Sequence, residues 1–221
     1  MSKKNIVVFG LDSFGMSTIK QLSKYNCETL AIDKNMDRVE IADEYATYAM
    51  QINMQDIEDF EEVSLNSYDV AIITFSDIQT SILAALVCKE NNIPMVIAKA
   101  NSITHKKILE KMEVDKIILP EEESGIKLAK GIMNKSIIDM VDLSEDYSIV
   151  ELNASEKWIN KSLSELKLRN IYGLNVLCIK SKNGDIVISP AHDRVLNDGD
   201  ILIGIAYNAK FNKKQDDENE E

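Results

Sequence analysis

Gly10, Asp12 and Gly15 occupy the three fixed positions of a G-x-G-x-x-G turn. Such a turn seats a dinucleotide pyrophosphate on the N-terminus of a helix. Its middle glycine, which lets the backbone approach the phosphates, is Asp12 here, and Ser13 follows it. A carboxylate at that point narrows the gap and adds like charge. At ~4 Å and an effective dielectric of ~20, one charge pair is worth roughly 4 kcal/mol. The free N–H groups of a helix opening near Phe14 either hold a phosphate or are capped by Asp12 or Ser13. Self-capping fills the anion seat and weakens phosphate binding; a divalent cation between Asp12 and the phosphates would offset that loss. Asp33 ends the next apolar run, Thr29–Ile32, where an acidic residue meets ribose hydroxyls. Its alternative role is to cap the turn that follows.

The remaining reactive side chains form no recognisable constellation. His105, at a helix start beside Lys106 and Lys107, and His192, in a loop after Ser189-Pro190-Ala191, are both expected on the solvated surface. Cys27, Cys88 and Cys178 are scattered, with no C-x-x-C, which argues for reduced thiols rather than a disulfide frame or a zinc site. No nucleophile–base pair is visible. Glu121-Glu122-Glu123 suits a helix start, and Trp158, the one tryptophan, reads as a core or interface anchor.

The elements that must position these groups fall into two rhythms. Up to about Leu119, apolar strand-like runs (Ile6–Phe9, Thr29–Ile32, Thr47–Ile52, Val70–Phe75, Met95–Ala98, Lys116–Leu119) alternate with amphipathic helical runs (Gly15–Tyr25, Asp37–Glu44, Asp56–Leu65, Ile78–Asn91, Thr104–Lys111, Glu122–Asn134). Near-continuous apolar strands imply burial on both faces, hence a Rossmann-type, doubly wound parallel sheet of order 3-2-1-4-5-6 with its ligand crevice at the strands' carboxyl ends. Beyond Asn134 come short alternating strands (Ser148–Leu152, Asn175–Lys180, Ile186–Ser189, Ile201–Ala206), one short helix (Ser162–Leu168) and two turn signals, Asn183-Gly184-Asp185 and Asp198-Gly199-Asp200. Ser136–Val141 reads as a short apolar linker. The expected domains are residues 1–134, a smaller α+β unit at 135–210, and an acidic disordered tail at 211–221. The small unit is marginal alone and would gain stability by pairing with a copy of itself.

Composition narrows the function. Of 221 residues, 45% are hydrophobic, enough for an ordinary core, and no apolar run approaches the ~20 residues of a membrane span. The net charge of −12 repels nucleic acid. The start, Met-Ser-Lys-Lys-Asn, leads straight into a strand pattern without a signal-peptide pattern, so a cytoplasmic protein is expected.

Taken together, these residues resemble the RCK (TrkA-N plus TrkA-C) regulatory subunits of Ktr/Trk-type potassium transporters. The likeness runs through Gly10-Leu11-Asp12-Ser13-Phe14-Gly15, Leu30-Ala31-Ile32-Asp33, Ala98-Lys99-Ala100, His105–Lys111 and Pro120-Glu121 in the first part. In the second it runs through Leu163-Ser164-Glu165-Leu166, Arg169, Tyr172-Gly173-Leu174-Asn175, Ile188-Ser189-Pro190 and Asp198–Leu202. The resemblance implies dimers assembled into an octameric cytoplasmic ring beneath a membrane potassium channel, with ATP, ADP or NAD(H) in the first domain. It implies that Asp33 binds ribose, that Lys99 lies near phosphates and that Glu121 lies near a cation in a dimer interface. It further implies cyclic di-AMP between two second domains, with Arg169 at a phosphate and Asn175, Pro190 and Ala191 around the adenine. A guanidinium suits a phosphodiester; an ordinary surface salt bridge is Arg169's other reading. The departures, Asp12 for the family glycine and Ser13 for its phosphate-reaching arginine, shift the expected control from ATP toward cyclic di-AMP. The competing functions are a nicotinamide-dependent oxidoreductase, which needs a proton donor and substrate cavity not visible here, and a freestanding cyclic di-AMP-binding protein.

Overall fold

The computed structural model describes residues 3–55, 57–133 and 137–211. They form two compact units, Met1–Glu122 and Glu123–Glu221. The tail expectation falls on residues outside the described ones from 212 onward.

The first unit is a parallel six-stranded sheet. Its strands are β1 (Lys4–Phe9), β2 (Cys27–Asp33), β3 (Tyr48–Gln51), β4 (Val70–Ile73), β5 (Met95–Lys99) and β6 (Lys116–Ile118). Their order is β3-β2-β1-β4-β5-β6, as expected. Four helices cross between them: α1 (Ser13–Leu22), α2 (Met36–Asp43), α3 (Ile78–Glu90) and α4 (Ile103–Lys111); α5 (Pro120–Met133) follows β6. Each crossover returns the chain to a parallel neighbour, which requires a connection of this length. Val7 and Phe9 pack on one face of β1 and Ile6 and Val8 on the other, so both faces carry a core.

The run Asp56–Leu65 departs from the expected α-helix. It forms two 3₁₀ turns, Ile57–Glu62 and Leu65–Ser67. Phe60 and Val63, both buried, stand three residues apart, which is one 3₁₀ turn rather than an α-helical face.

The second unit holds a five-stranded antiparallel sheet of order β10-β9-β11-β8-β7. Its strands are β7 (Ile137–Asp142), β8 (Tyr147–Asn153), β9 (Leu174–Lys180), β10 (Ile186–Ile188) and β11 (Ile201–Tyr207). The apolar run expected as a linker is therefore, from Ile137 on, the edge strand β7, paired with β8; Ser136 lies outside the described residues. The expected helix Ser162–Leu168 is two four-residue helices, α6 (Leu163–Leu166) and α7 (Leu168–Ile171), split by Lys167 at φ +46°. Ser162 and Glu165 form a capping box that starts α6. Trp158 is buried, with its ring edge-on to Tyr172 at 5.1 Å. Between β9 and β11 the register slips: Ile203 faces Cys178 and Gly204 faces Val176, leaving Leu177 as a bulge.

Candidate functional site

The crevice of the first unit opens where β1, β2, β3 and β4 end, at the reversal of strand order. It holds about 310 Å³ and is lined by Gly10, Asp12 and Asp33, with Arg38, Met54 and Ser76 among its other walls.

Gly10 turns the chain out of β1 at φ +90°, a conformation that suits glycine. Asp12 then caps α1. Its Oδ1 accepts from the N–H of Phe14 at 3.0 Å and of Gly15 at 3.1 Å. Its Oδ2 faces the Lys99 ammonium, with which it makes a close ion pair, and the Ser76 hydroxyl at 3.4 Å. The anion seat at the head of α1 is thus taken by the chain's own carboxylate, the self-capping alternative. Burial pushes the Asp12 carboxyl up, but the hydrogen bond from Lys99, the N–H of Gly15, the Lys99 charge and the N–H of Phe14 together outweigh it. The net result is a carboxyl below its ordinary range, ionised at neutral pH.

Lys99 ends β5 with its side chain 5% exposed. Besides Asp12, it has the exposed Glu121 carboxylate at 3.7 Å. Among the described residues no group of three or more His, Cys, Asp or Glu could hold a metal ion. The positive charge set against Asp12 is Lys99.

Asp33 is buried at the end of β2. Its Oδ2 accepts from the N–H of Leu11 at 2.6 Å and its Oδ1 from the N–H of Asn35 at 2.9 Å. Arg38 reaches Oδ2 at 3.4 Å. Asp33 therefore ties the glycine turn to the end of β2 while still lining the crevice. Arg38 escapes a sequence reading, although a cation in the first turn of α2 is electrostatically out of place and calls for a partner. Ser13 is exposed, and Phe14 faces a shallow groove along α1 with Ser17 and Gln21, so neither lines the crevice.

His105 corrects the surface expectation: it is fully buried. Nδ1 accepts from the N–H of Asn101 at 3.4 Å, and Nε2 finds no hydrogen-bond partner among the described residues. Desolvation pushes its pKa below the ordinary histidine value.

In the second unit, Arg169, Asn175 and Pro190 line one cleft of about 320 Å³ with Lys167 and His192. Ala191 is not among its lining residues. Among the described residues no carboxylate lines it, and Lys167 and Arg169 give it positive charge. The loop that carries Pro190 and His192 is pinned at several points. Ser164 donates its N–H to the His192 carbonyl at 2.9 Å, and Leu163 to that of Arg194 at 3.1 Å. Arg194 in turn donates to buried Asp200 at 3.0 Å.

Two family models match the chain: the TrkA-N domain over residues 6–120 and the TrkA-C domain over residues 147–206. The Ktr system potassium uptake protein A of Bacillus subtilis is 36% identical, covering 92% of this chain and 91% of that protein. The protein A of Vibrio alginolyticus is 31% identical, covering 96% of each. The crystal structure of the GsuK RCK domain shares the fold, with a TM-score of 0.66 at 14% identity over 97% of this chain and 47% of that one. The two domain matches and full-length relatives place the chain in the RCK (TrkA-N plus TrkA-C) family of regulatory subunits of Ktr/Trk-type potassium transporters.

Proposed function

We propose that this subunit gates its membrane potassium transporter in response to cyclic di-AMP held between two second units, and that ATP, ADP or NAD(H) has little hold on the first unit. The observation that supports this reading is the contrast between the two clefts. One offers Arg169 and Lys167 with no opposing carboxylate; the other has spent its helix N–H groups and Lys99 on Asp12. A guanidinium and a phosphodiester pair through short, charge-assisted hydrogen bonds.

In this reading the protein is a regulator and not an enzyme. It works in the cytoplasm at the inner face of the membrane, assembled with copies of itself into dimers and an octameric ring. The messenger acts by favouring one ring shape over another, so its leverage equals its difference in affinity for the two. No helix among the described residues is long and apolar enough to cross a membrane, which fits a subunit that borrows its membrane passage from a partner.

Calorimetric titration with cyclic di-AMP, ATP and ADP tests the proposal. Binding of cyclic di-AMP should weaken at least about tenfold in Arg169→Ala, as expected for a lost charged hydrogen bond to an anion. Tight ATP binding with silence toward cyclic di-AMP would overturn it. Co-purification with a membrane potassium channel separates a gating subunit from a freestanding sensor.

A further inference from the structure

The walls of the first unit's crevice follow the strand order. Past β3 come Ile52, Asn53, Met54 and Gln55, an apolar and amide-bearing stretch. Past β2 comes Asp33 with Arg38, past β1 comes Asp12, and past β4 come Ser76 and Asp77. A doubly wound sheet lays a nucleotide across this line with its ribose at the end of β2 and its phosphates at the head of the first helix.

The ribose position can still be used. A carboxylate offers about four lone-pair sites; Leu11 and Asn35 take two at short range, and the half-exposed Arg38 holds a third at only 3.4 Å. A vicinal diol has room to compete there. The phosphate position is different. Asp12 has taken the N–H groups of Phe14 and Gly15 and the Lys99 ammonium. Asp77, whose carboxyl is lowered by hydrogen bonds from the N–H and then the hydroxyl of Thr80, adds a second negative charge to the lining, against which Lys34 sets one positive charge. Glu121 stands 3.7 Å from Lys99. A phosphate would have to evict Asp12 from every donor it uses and then sit beside it.

We propose that this crevice takes a nucleoside whose 5′ carbon bears no phosphate, with Asp12 as the residue that sets that preference. An uncharged or cationic 5′ substituent faces carboxylates there rather than competing with them. The inference rests on reading the crevice as a nucleoside pocket and is independent of the second unit's ligand.

The test is a calorimetric series on the full chain with adenosine, 5′-methylthioadenosine, AMP and ATP, alongside cyclic di-AMP. In the wild type, affinity should fall as 5′ phosphates are added, with adenosine at least about tenfold ahead of ATP, the order expected from unfavourable charge at short range. Asp12→Gly should reverse the order, and Asp12→Asn, which keeps the helix cap and removes the charge, should narrow the gap. Circular dichroism checks that each variant is folded. ATP binding the wild type as well as adenosine does, or adenosine and methylthioadenosine both failing to bind, overturns the proposal. Either failure leaves the cyclic di-AMP isotherm intact, while loss of that isotherm alone counts against the second-unit reading only.

Discussion

The hydroxyl of Thr74 donates to the carbonyl of Gly10 at 2.7 Å, fastening the end of β4 to the turn that leaves β1. The fit leaves no space at Gly15. A Cβ there would lie 2.1 Å from the Gly10 carbonyl oxygen and 2.7 Å from Thr74 Oγ1. Gly15→Ala should therefore push α1 off the sheet and cost about 3 kcal/mol, the upper part of the range for overpacked sites. Urea denaturation of the variant checks this, and a midpoint unchanged from wild type would contradict the packing.

Asp12 and Lys99 should show strong coupling in a double-mutant cycle. Asp12→Ala removes a helix cap worth about 1 kcal/mol and leaves a buried ammonium with the exposed Glu121 carboxylate at 3.7 Å. Lys99→Met strands a part-buried carboxylate. Each single change should cost roughly 2–3 kcal/mol, and the double variant clearly less than the sum. The sign with pH follows from the lowered Asp12 carboxyl. The pair's contribution is complete above the unfolded value of about 3.9 and is lost as pH falls through the folded one. The stability gap between wild type and Asp12→Asn should thus close in acid.

His105 should make the first unit acid-sensitive. Buried and held below its usual pKa, it folds neutral, while the unfolded chain takes a proton near pH ~6.5. Its contribution is therefore whole above that pH and falls as pH drops toward the folded value. His105→Asn keeps an acceptor for the N–H of Asn101 and cannot titrate. Between pH 7.5 and 5.5 its urea midpoint should fall less than that of the wild type, at a cost of about 1–2 kcal/mol at the upper pH for lost ring volume. Parallel slopes would place the acid response elsewhere.

Cys88 should resist modification. It is fully buried on α3, and desolvation pushes its thiol up to about 12. Cys27 and Cys178 are partly exposed. A maleimide at pH 7.5 should label those two in the native protein and reach Cys88 only with urea, as read by mass spectrometry. Because the raised value favours the neutral thiol in the fold, this contribution is present below about pH 8.5 and is lost as pH climbs toward 12.

Much of the first unit was legible in the sequence because each strand is a solid apolar run and each crossover a helix-length segment. A self-capped α1 was legible as one alternative, with Asp12 and Ser13 both eligible; the fold selects Asp12. The partner of Asp12 was not legible, because Lys99 lies 87 residues away and meets Asp12 only across the folded sheet. The lysines beside His105 masked its burial, although its i, i+4 spacing to buried Leu109 was the available signal. The edge strand β7 escaped because its residues alternate poorly: only Ile137 is buried, and Ile138 and Val141 are exposed. The second-unit cleft joins α7 to the loop after β10, a juxtaposition that no local pattern encodes.

Leu174 and Ile179 are both wholly enclosed, yet they stand five apart on one strand, an odd interval that would put them on opposite sides of a regular ribbon. The extra residue, Leu177, resets the alternation between them, and its carbonyl receives the N–H of Ser189 at 2.8 Å, just ahead of Pro190. Flattening the bulge at unchanged chain length would force a choice between losing Ile179 to solvent and rolling Leu174 outward, which would turn Asn175 away from the cleft it lines. A single insertion thus ties the module's interior to the geometry of its cleft.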